Sequence, residues 1–238
     1  MQILGLGLFV FVVYYGFAGQ RTGATVSAFD MHAMVVVLGG SLSAILVMSN
    51  AQTTLRTFSC LRELIPGLGT LRKANEALEA ERKQLAQLWL DGNRAQAVNL
   101  AEASEFPAIQ RMLQLVLSRA PAEGVSSAFT ELEHAELSRW QPAVGNWELL
   151  AKLAPSFGMV GTITGMIQLF KSMGDAGTDL GASLSLALLA TLYGVAFGAG
   201  IAGPIGHFLR GLLDERLGVL ERCQQTVGEL SAWTRREA

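Results

Sequence analysis

The sequence predicts an all-α integral membrane protein with four transmembrane helices and a cytoplasmic helical domain between helices 2 and 3. Half of its 238 residues are hydrophobic and only 16% are charged, against about a quarter in an ordinary soluble domain. The apolar residues form two blocks, about 3–49 and 149–209, and the hundred or so residues between them hold most of the charge. This segregation is typical of a chain that crosses a membrane in two separate parts of its sequence.

Composition also excludes several classes of protein. A net charge of −2 gives no general attraction to phosphate, so nucleic acid is not an expected partner. The two cysteines, Cys60 and Cys223, are too few for a disulfide framework. The sequence has no Ser/His/Asp arrangement, metal-ligand spacing or Gly-rich phosphate loop, and its three histidines are scattered. We therefore expect neither an enzyme nor a bound cofactor.

Four segments are long and apolar enough to cross the hydrocarbon core, which takes roughly 20 residues of helix. The predicted spans are residues 3–19, 31–49, 149–170 and 180–208. The first could also be a signal peptide, but it lacks a positively charged start and no Ala-x-Ala cleavage site follows it. The predicted divisions are therefore 1–50 (spans 1 and 2), 51–148 (a cytoplasmic arm), 149–209 (spans 3 and 4) and 210–238 (a cytoplasmic C-terminal helix).

The distribution of Lys and Arg predicts the orientation. The arm and the tail carry nearly all of these residues, whereas the two short connections offer only Arg21 and Lys171. Since cytoplasmic loops are enriched in Lys and Arg, both termini and the arm are expected in the cytoplasm.

The arm is expected to be helical. Residues 70–90 are rich in strong helix formers, and Asp91-Gly92-Asn93 is a turn signal. A second helix is predicted to about Glu105 and a third from Pro107 to about Arg119. A fourth, 123–148, is predicted to continue without a break into the third span.

The four spans contain no Asp or Glu. Intramembrane carboxylates mark most proton and cation pathways, because a cation in hydrocarbon needs a negative or strongly polar partner. The chain is therefore either a passive scaffold or one half of a machine whose carboxylate belongs to another subunit.

Small residues recur on one face of each of the last two spans, which lets helix backbones approach closely. These residues are Ala154, Gly158, Thr162 and Gly165 in span 3, and Ser183, Ala187, Thr191, Gly194 and Gly198 in span 4; Gly161–Gly165 and Gly194–Gly198 fit the Gly-x-x-x-Gly pattern. Each threonine either bonds back to its own helix and only packs, or lines a polar track beside a partner helix. Pro155 and Pro204 each lack an N–H and free a carbonyl one turn earlier.

These segments resemble a known family. Residues 154–167 (APSFGMVGTITGMI) are similar to the third span of MotA-type flagellar stator subunits, within the MotA/TolQ/ExbB superfamily. Residues 187–194 (ALLATLYG) with Gly203-Pro204-Ile205 resemble the fourth span, and residues 35–41 (VVVLGGS) the second. The four-span order distinguishes the MotA type from the three-span ExbB and TolQ.

The resemblance implies an assembly in the bacterial inner membrane. Such subunits form a ring of five around two MotB-like partners, each with one span carrying an essential Asp and a peptidoglycan-binding domain. Sodium ions or protons cross, the ring is thought to rotate, and its arms turn the flagellar rotor protein FliG. No cofactor is implied beyond the transported ion. The alternatives are an ExbB/TolQ-like energiser of another envelope process and a scaffold without ion flow.

The resemblance also implies roles for individual residues. Thr162 and Thr191 match pore-facing hydroxyl positions, and Asp30 matches an outer-loop Asp of sodium-driven members, so these three form the implied ion pathway. The implied torque and conformational residues are Pro155, Pro204 and Tyr193; the helix-packing residues are Gly158, Gly161, Gly165, Gly194 and Gly198; the rotor-contacting pair is Arg94 and Glu102. Ala190 stands where sodium-driven members have a second threonine, so the ion stays open, although Asp30 and the hydroxyls favour sodium.

Overall fold

A computed structural model describes residues 31–65, 69–173 and 180–237. All regular secondary structure within these ranges is helical, as predicted. The first predicted span and Asp30 lie outside the described residues, as does most of the connection between spans 3 and 4.

Eight α-helices make up the described chain. They are α1 (Met31–Met48, with a π-helical turn at Val35–Gly39), α2 (Ala51–Ser59, followed by a 3₁₀ turn, Cys60–Leu64), α3 (Thr70–Leu90), α4 (Arg94–Ala103), α5 (Pro107–Leu117), α6 (Ala122–Ser172), α7 (Leu180–Phe197, followed by a π-helical turn, Gly198–Ala202) and α8 (Gly203–Glu237). The predicted helix 70–90 is confirmed, and so is the unbroken run of the fourth arm helix into the third span. The helical run continues from α7 through the π-helical turn into α8, and Pro204 is the second residue of α8.

Two helix ends show why the turns fall where they do. Gly92 follows α3 with φ +78°, and the amide of Asn93 donates to the carbonyl of Leu88 at 2.9 Å. Arg119 follows α5 with φ +49°, and the amide of Ala120 donates to the carbonyl of Leu115 at 3.1 Å. Both are left-handed caps that satisfy the last helix carbonyls, so the predicted 91–93 turn is confirmed.

The described residues fall into two compact units. The first takes the chain up to Leu64 and Pro142–Leu209, and the second takes Ile65–Gln141 and Arg210–Ala238. Among the described residues, three helices are long and apolar enough to cross a membrane: Met31–Met48, Ala122–Lys171 and Ala187–Arg235.

The first unit packs α1 and α2 against α6 and α7. Its apolar cluster joins Ala33 and Val37 of α1 to Ala154 of α6 and to Leu189 and Ala190 of α7. A second, polar set of contacts holds α2. The side-chain amide of Asn146 donates to Thr57 Oγ1 at 2.8 Å, and the indole N–H of Trp147 donates to the Thr57 carbonyl at 2.9 Å.

The second unit has a soluble-type core. The core is formed by α3, α4 and α5 with the N-terminal part of α6 and the C-terminal part of α8. Its largest fully buried side chains are Leu78, Leu85, Ile109, Met112, Phe129 and Leu220. Burying each such side chain contributes roughly 1.5–3 kcal/mol. The Trp89 indole N–H donates to Thr234 Oγ1 at 3.1 Å, which fixes the end of the C-terminal helix on α3.

Candidate functional site

Helices α6 and α7 approach each other to the limit that glycine allows. A Cβ at Gly158 would lie 2.9 Å from the Ala190 carbonyl oxygen, and one at Gly194 would lie 2.6 Å from the Ala154 carbonyl oxygen. Real Cβ atoms essentially never come closer than 3.0 Å to backbone atoms. The small-residue faces of spans 3 and 4 therefore pack on each other, and they are not left open for a different helix.

Two other glycines of these faces are also too close to the opposite helix to carry a side chain. A Cβ at Gly165 would lie 2.8 Å from the Ala187 Cβ, and one at Gly161 would lie 2.5 Å from the Ala190 Cβ. Ala190 therefore packs directly against Gly161, and there is no room for a side chain at position 161 without a shift.

The carbonyl that Pro155 frees points at Gly198. Proline has no N–H, so the carbonyl of Ala151, four residues earlier, loses its usual helical donor. A Cβ at Gly198 would lie 2.7 Å from that Ala151 oxygen and 2.7 Å from the Cδ of the Pro155 ring. Gly198 is also the first residue of the π-helical turn in α7. The irregular points of the two helices thus lie side by side.

Thr162 and Thr191 meet at this interface. The hydroxyl of Thr162 forms a short hydrogen bond with that of Thr191, and it also lies 3.0 Å from the Ala187 carbonyl oxygen and 3.1 Å from its own helix's Gly158 carbonyl. The structure thus has features of both interpretations of these threonines. Thr162 bonds back to a carbonyl of its own helix, and the two hydroxyls together form a polar cluster. Each of these four oxygens has two lone pairs, and the two hydroxyls bring only two protons, so the cluster has acceptor capacity left over.

The hydroxyl pair is half-buried among apolar side chains. On the flank of the pair, Met159, Ile163 and Met166 of α6 and Leu188 and Val195 of α7 are exposed. The polar cluster therefore lies beside an exposed apolar surface.

Tyr193 lies elsewhere. With Phe197 it packs on the cluster of Ala33, Val37 and Leu189, on the α1 side of α7. It is therefore separate from the exposed flank. Pro204 is exposed at the start of α8.

The predicted rotor-contacting pair lies in the second unit. Arg94 and Glu102 are both exposed on α4, and the Arg94 guanidinium stacks over the Trp89 ring at 5.5 Å. This stacking holds the start of α4 onto α3. Neither residue belongs to the hydroxyl site.

The second unit contains an ion network centred on Glu79 of α3. A hydrogen bond from Arg82 lowers the pKa of Glu79 to about 2, partial burial opposes this, and Arg222 adds to the lowering. The Arg82–Glu79 and Arg222–Glu79 distances are 2.7 and 3.2 Å. A second pair joins Arg216, which is buried, to Glu136 at 3.0 Å. Sequence patterns did not single out these pairs, because their members are up to 143 residues apart.

No cluster of three or more His, Cys, Asp or Glu residues that could hold a metal ion occurs in the described part of the chain. The site that the geometry offers is a hydroxyl and carbonyl cluster between two closely packed helices.

Fold and site together define a multi-span helical membrane protein with an oxygen-lined helix interface. The chain belongs to the MotA/TolQ/ExbB proton channel family, whose sequence profile matches residues 101–222, just over half of it. The expected family is confirmed.

Individual relatives support this family assignment, and two solved structures share the fold. The chain is 25% identical over 207 residues to motility protein A of Aquifex aeolicus, covering 79% of this chain and 80% of the relative. It is 26% identical over 210 residues to chemotaxis protein PomA of Vibrio alginolyticus, covering 87% and 79%. Its fold is that of C. jejuni MotAB, with a TM-score of 0.77, 14% identity and coverage of 97% and 88%. The flagellar MotAB stator complex of Bacillus subtilis gives a TM-score of 0.70, 18% identity and coverage of 94% and 88%.

Proposed function

We propose that the chain is a MotA-like stator subunit of an ion-driven bacterial flagellar motor. It would form a cation channel with a MotB-like partner, and ion flow through that channel would generate torque on the rotor. The motility and chemotaxis relatives support this function, and so does the fold shared with two MotAB complexes. A role as an ExbB/TolQ-like energiser also fits the family, but the relatives described above are motility and chemotaxis proteins, which favours the stator.

The observation that carries the proposal is the hydroxyl pair in a membrane segment without carboxylates. Thr162, Thr191 and the Ala187 carbonyl place oxygen atoms together, while the predicted spans contain no Asp or Glu. Oxygens of this kind are suitable ligands for a hard cation or a proton-carrying water. The charge that draws the ion would come from the partner's membrane Asp.

The membrane arrangement belongs to the same proposal. We infer four spans, with residues 3–19 as the first, in the bacterial inner membrane, and both termini and the charged arm in the cytoplasm. The excess of Lys and Arg on the arm and tail supports this orientation. Asp30 would then lie at the outer entrance of the ion path.

The partners follow from the family. Five copies would surround two MotB-like subunits that hold peptidoglycan, and Arg94 and Glu102 would contact FliG. Both residues are exposed on α4, as such a contact needs. Measuring swimming speed as sodium is removed at constant proton-motive force distinguishes the two candidate ions: a loss of speed indicates sodium, and unchanged speed indicates protons.

The experiment that tests the function replaces the hydroxyls one at a time. Thr191→Ala removes the bond between the two hydroxyls, and Thr162→Ala removes that bond together with the contacts to the Ala187 and Gly158 carbonyls. A hydrogen bond contributes only about 1 kcal/mol to stability, so the complex should still assemble. We expect at least one of them to abolish or greatly slow swimming in cells that depend on this chain.

Thr164→Ala is the matched control. Thr164 lies on the same helix and back-bonds to Val160 at 3.1 Å in the same way, but it is exposed, and its second contact, to the Gly161 carbonyl at 3.0 Å, is also within α6. If all three variants swim like the parent, the hydroxyl pair has no role in ion flow. If swimming never depends on this chain while an envelope process does, the energiser alternative replaces the stator.

A further inference from the structure

The polar and apolar sides of helix α2 are reversed relative to those of a helix on the surface of a soluble protein. Its inward face carries hydroxyl and thiol groups: Thr57 is fully buried and Cys60, at the start of the following turn, is buried. Its outward side carries two large apolar side chains, Leu55 (72% exposed) and Phe58 (43% exposed), together with the exposed polar residues at positions 52, 56 and 59. Apolar side chains normally face a protein interior, so this orientation needs a reason.

Polar contacts fix the orientation. Thr57 Oγ1 accepts from the Asn146 amide at 2.8 Å and itself donates to the Thr53 carbonyl at 2.8 Å. Asn146 in turn accepts from the Ser49 hydroxyl at 3.0 Å. Rotating α2 to bury Leu55 would break this buried network and leave its donors and acceptors unpaired away from water.

The outward face continues an apolar surface. The last turn of α1 exposes Leu46, Val47 and Met48, and only Ser49 and Asn50 separate it from α2. In α2 and the following turn, Leu55, Phe58 and Arg62 recur at spacings of three and four residues, which places them on one side of a helix. Residues 51–62 contain two arginines and no acidic residue.

We propose that α2 is an interfacial helix that binds the anionic surface of the cytoplasmic leaflet. Leu55 and Phe58 lie at the boundary of the acyl chains, and Arg62 contacts lipid phosphates. Helices of this kind combine a buried apolar face with basic side chains that attract anionic lipids. The inference rests on the proposed span at α1, because that span brings α2 to the membrane surface.

A second copy of the chain fits this face less well. Stable protein interfaces bury about 800 Å² per partner with 20–30 residues a side. Here the outward apolar face of α2 consists of two large side chains on a nine-residue helix. Its direct continuity with a membrane span favours lipid.

The test uses nitroxide labels on the full chain in nanodiscs of phosphatidylcholine with phosphatidylglycerol, 3:1. Leu55→Cys and Phe58→Cys report the proposed face, Val47→Cys reports the lipid-facing end of α1, and Gln84→Cys on the exposed side of α3 reports water. The native thiols react slowly at neutral pH, because burial raises the pKa of Cys60 to about 11 and of Cys223 to about 12; unmutated protein gives the background. We expect labels at 55 and 58 to collide more often with oxygen than with a nickel chelate, as at 47, and the ratio to reverse at 84.

The charge is tested by lipid composition. In pure phosphatidylcholine the label at 55 should shift toward water, and Arg62→Gln should remove most of the difference between the two bilayers, whereas Arg72→Gln on the arm should not. Equal readings in both bilayers would overturn the anionic preference.

Three further outcomes would overturn the inference, and they separate it from the proposed function. Aqueous readings at 55 and 58 with a lipid reading at 47 reject the interfacial helix and leave the span intact. Dipolar broadening between labels at 55 of neighbouring subunits shows that another copy covers the face. An aqueous reading at 47 rejects the span itself, and the proposed channel with it.

Discussion

Single glycines decide how closely α6 and α7 pack. A methyl group added at Gly158 meets the Ala190 carbonyl oxygen at 2.9 Å and the Thr191 Cα at 3.2 Å, both of them backbone atoms that cannot rotate away. Gly145, on the same helix, has nothing within 4 Å of the equivalent point. The two positions therefore test close packing with the same chemical change.

We expect Gly158→Ala to destabilise the purified protein by about 1–3 kcal/mol, as overpacking does. Gly145→Ala should stabilise it by up to about 1 kcal/mol, because alanine is the better helix former. Thermal unfolding of both variants in one detergent measures the difference. Equal shifts in the same direction would mean that the α6–α7 contact is looser than described.

Glu79 gives the arm a predictable response to acid. Its pKa is about 2 in the folded chain, compared with about 4.3 for a free glutamate. Because the folded pKa is the lower one, the stabilisation is complete above about pH 4.3 and is lost as the pH falls toward 2.

Replacing Glu79 should flatten this response. We expect Glu79→Gln to be less stable than the parent at neutral pH and to lose less stability between about pH 4.3 and 2. Glu76→Gln is the control, since Glu76 forms only an exposed pair with Arg72 at 3.2 Å. Unfolding midpoints across this pH range report the change, and parallel curves for parent and Glu79→Gln would contradict it.

At the scale of elements, Pro155 and the π-helical turn of α7 form one irregular contact. A substitution to alanine restores an N–H for the Ala151 carbonyl and removes the ring that packs at Gly198. Pro142 lies in the same helix, is exposed, and gives the same chemical change away from α7.

We expect Pro155→Ala to leave assembly intact, to raise the thermal stability of α6, and to reduce swimming speed. The gain is bounded by the roughly 3 kcal/mol that an interior proline costs a helix. Pro142→Ala should change stability in the same direction and leave swimming unchanged. Normal swimming with Pro155→Ala would mean that the irregular contact is only structural.

The elements that sequence could predict are those determined locally. Helix formers followed by Asp91-Gly92-Asn93 set the end of α3, and the predicted continuation of residues 123–148 into the third span matches the unbroken course of α6. The π-helical turns at Val35–Gly39 and Gly198–Ala202 have no local sequence signal, and the second begins beside Pro155 of the neighbouring helix. The inverted orientation of α2 was not predictable either, since Thr57 and Asn146 are 89 residues apart.

The candidate site was partly predictable for the same reason. Counting residues placed Thr162 and Thr191 near the middle of their spans. Their direct hydrogen bond and the contact of Thr162 with the Ala187 carbonyl could not be predicted, because both depend on the register between α6 and α7. The facing glycines were identified as packing residues, but which helix they would contact was not.

At the scale of the whole molecule, the proposed motor needs a contact with the rotor. Arg94 is exposed at the first residue of α4 and stacks on Trp89. We expect Arg94→Glu to lower the torque measured on tethered cells, and a matching charge reversal on the rotor protein to restore part of it.

Arg111→Glu is the control for this reversal. Arg111 is an exposed arginine on α5 whose guanidinium bonds to Gln114 of the same helix at 3.4 Å. If both reversals lower the torque equally, the effect is one of net charge and the rotor contact is not at Arg94.

The most direct test of the central claim is the cation current of reconstituted vesicles. The claim is that the chain supplies oxygens and its partner supplies the acid. Vesicles with the chain alone should carry no cation current. Vesicles with the chain and a MotB-like partner should carry one, and Thr162→Ala with Thr191→Ala should abolish it. A robust cation current through the chain alone would contradict the account.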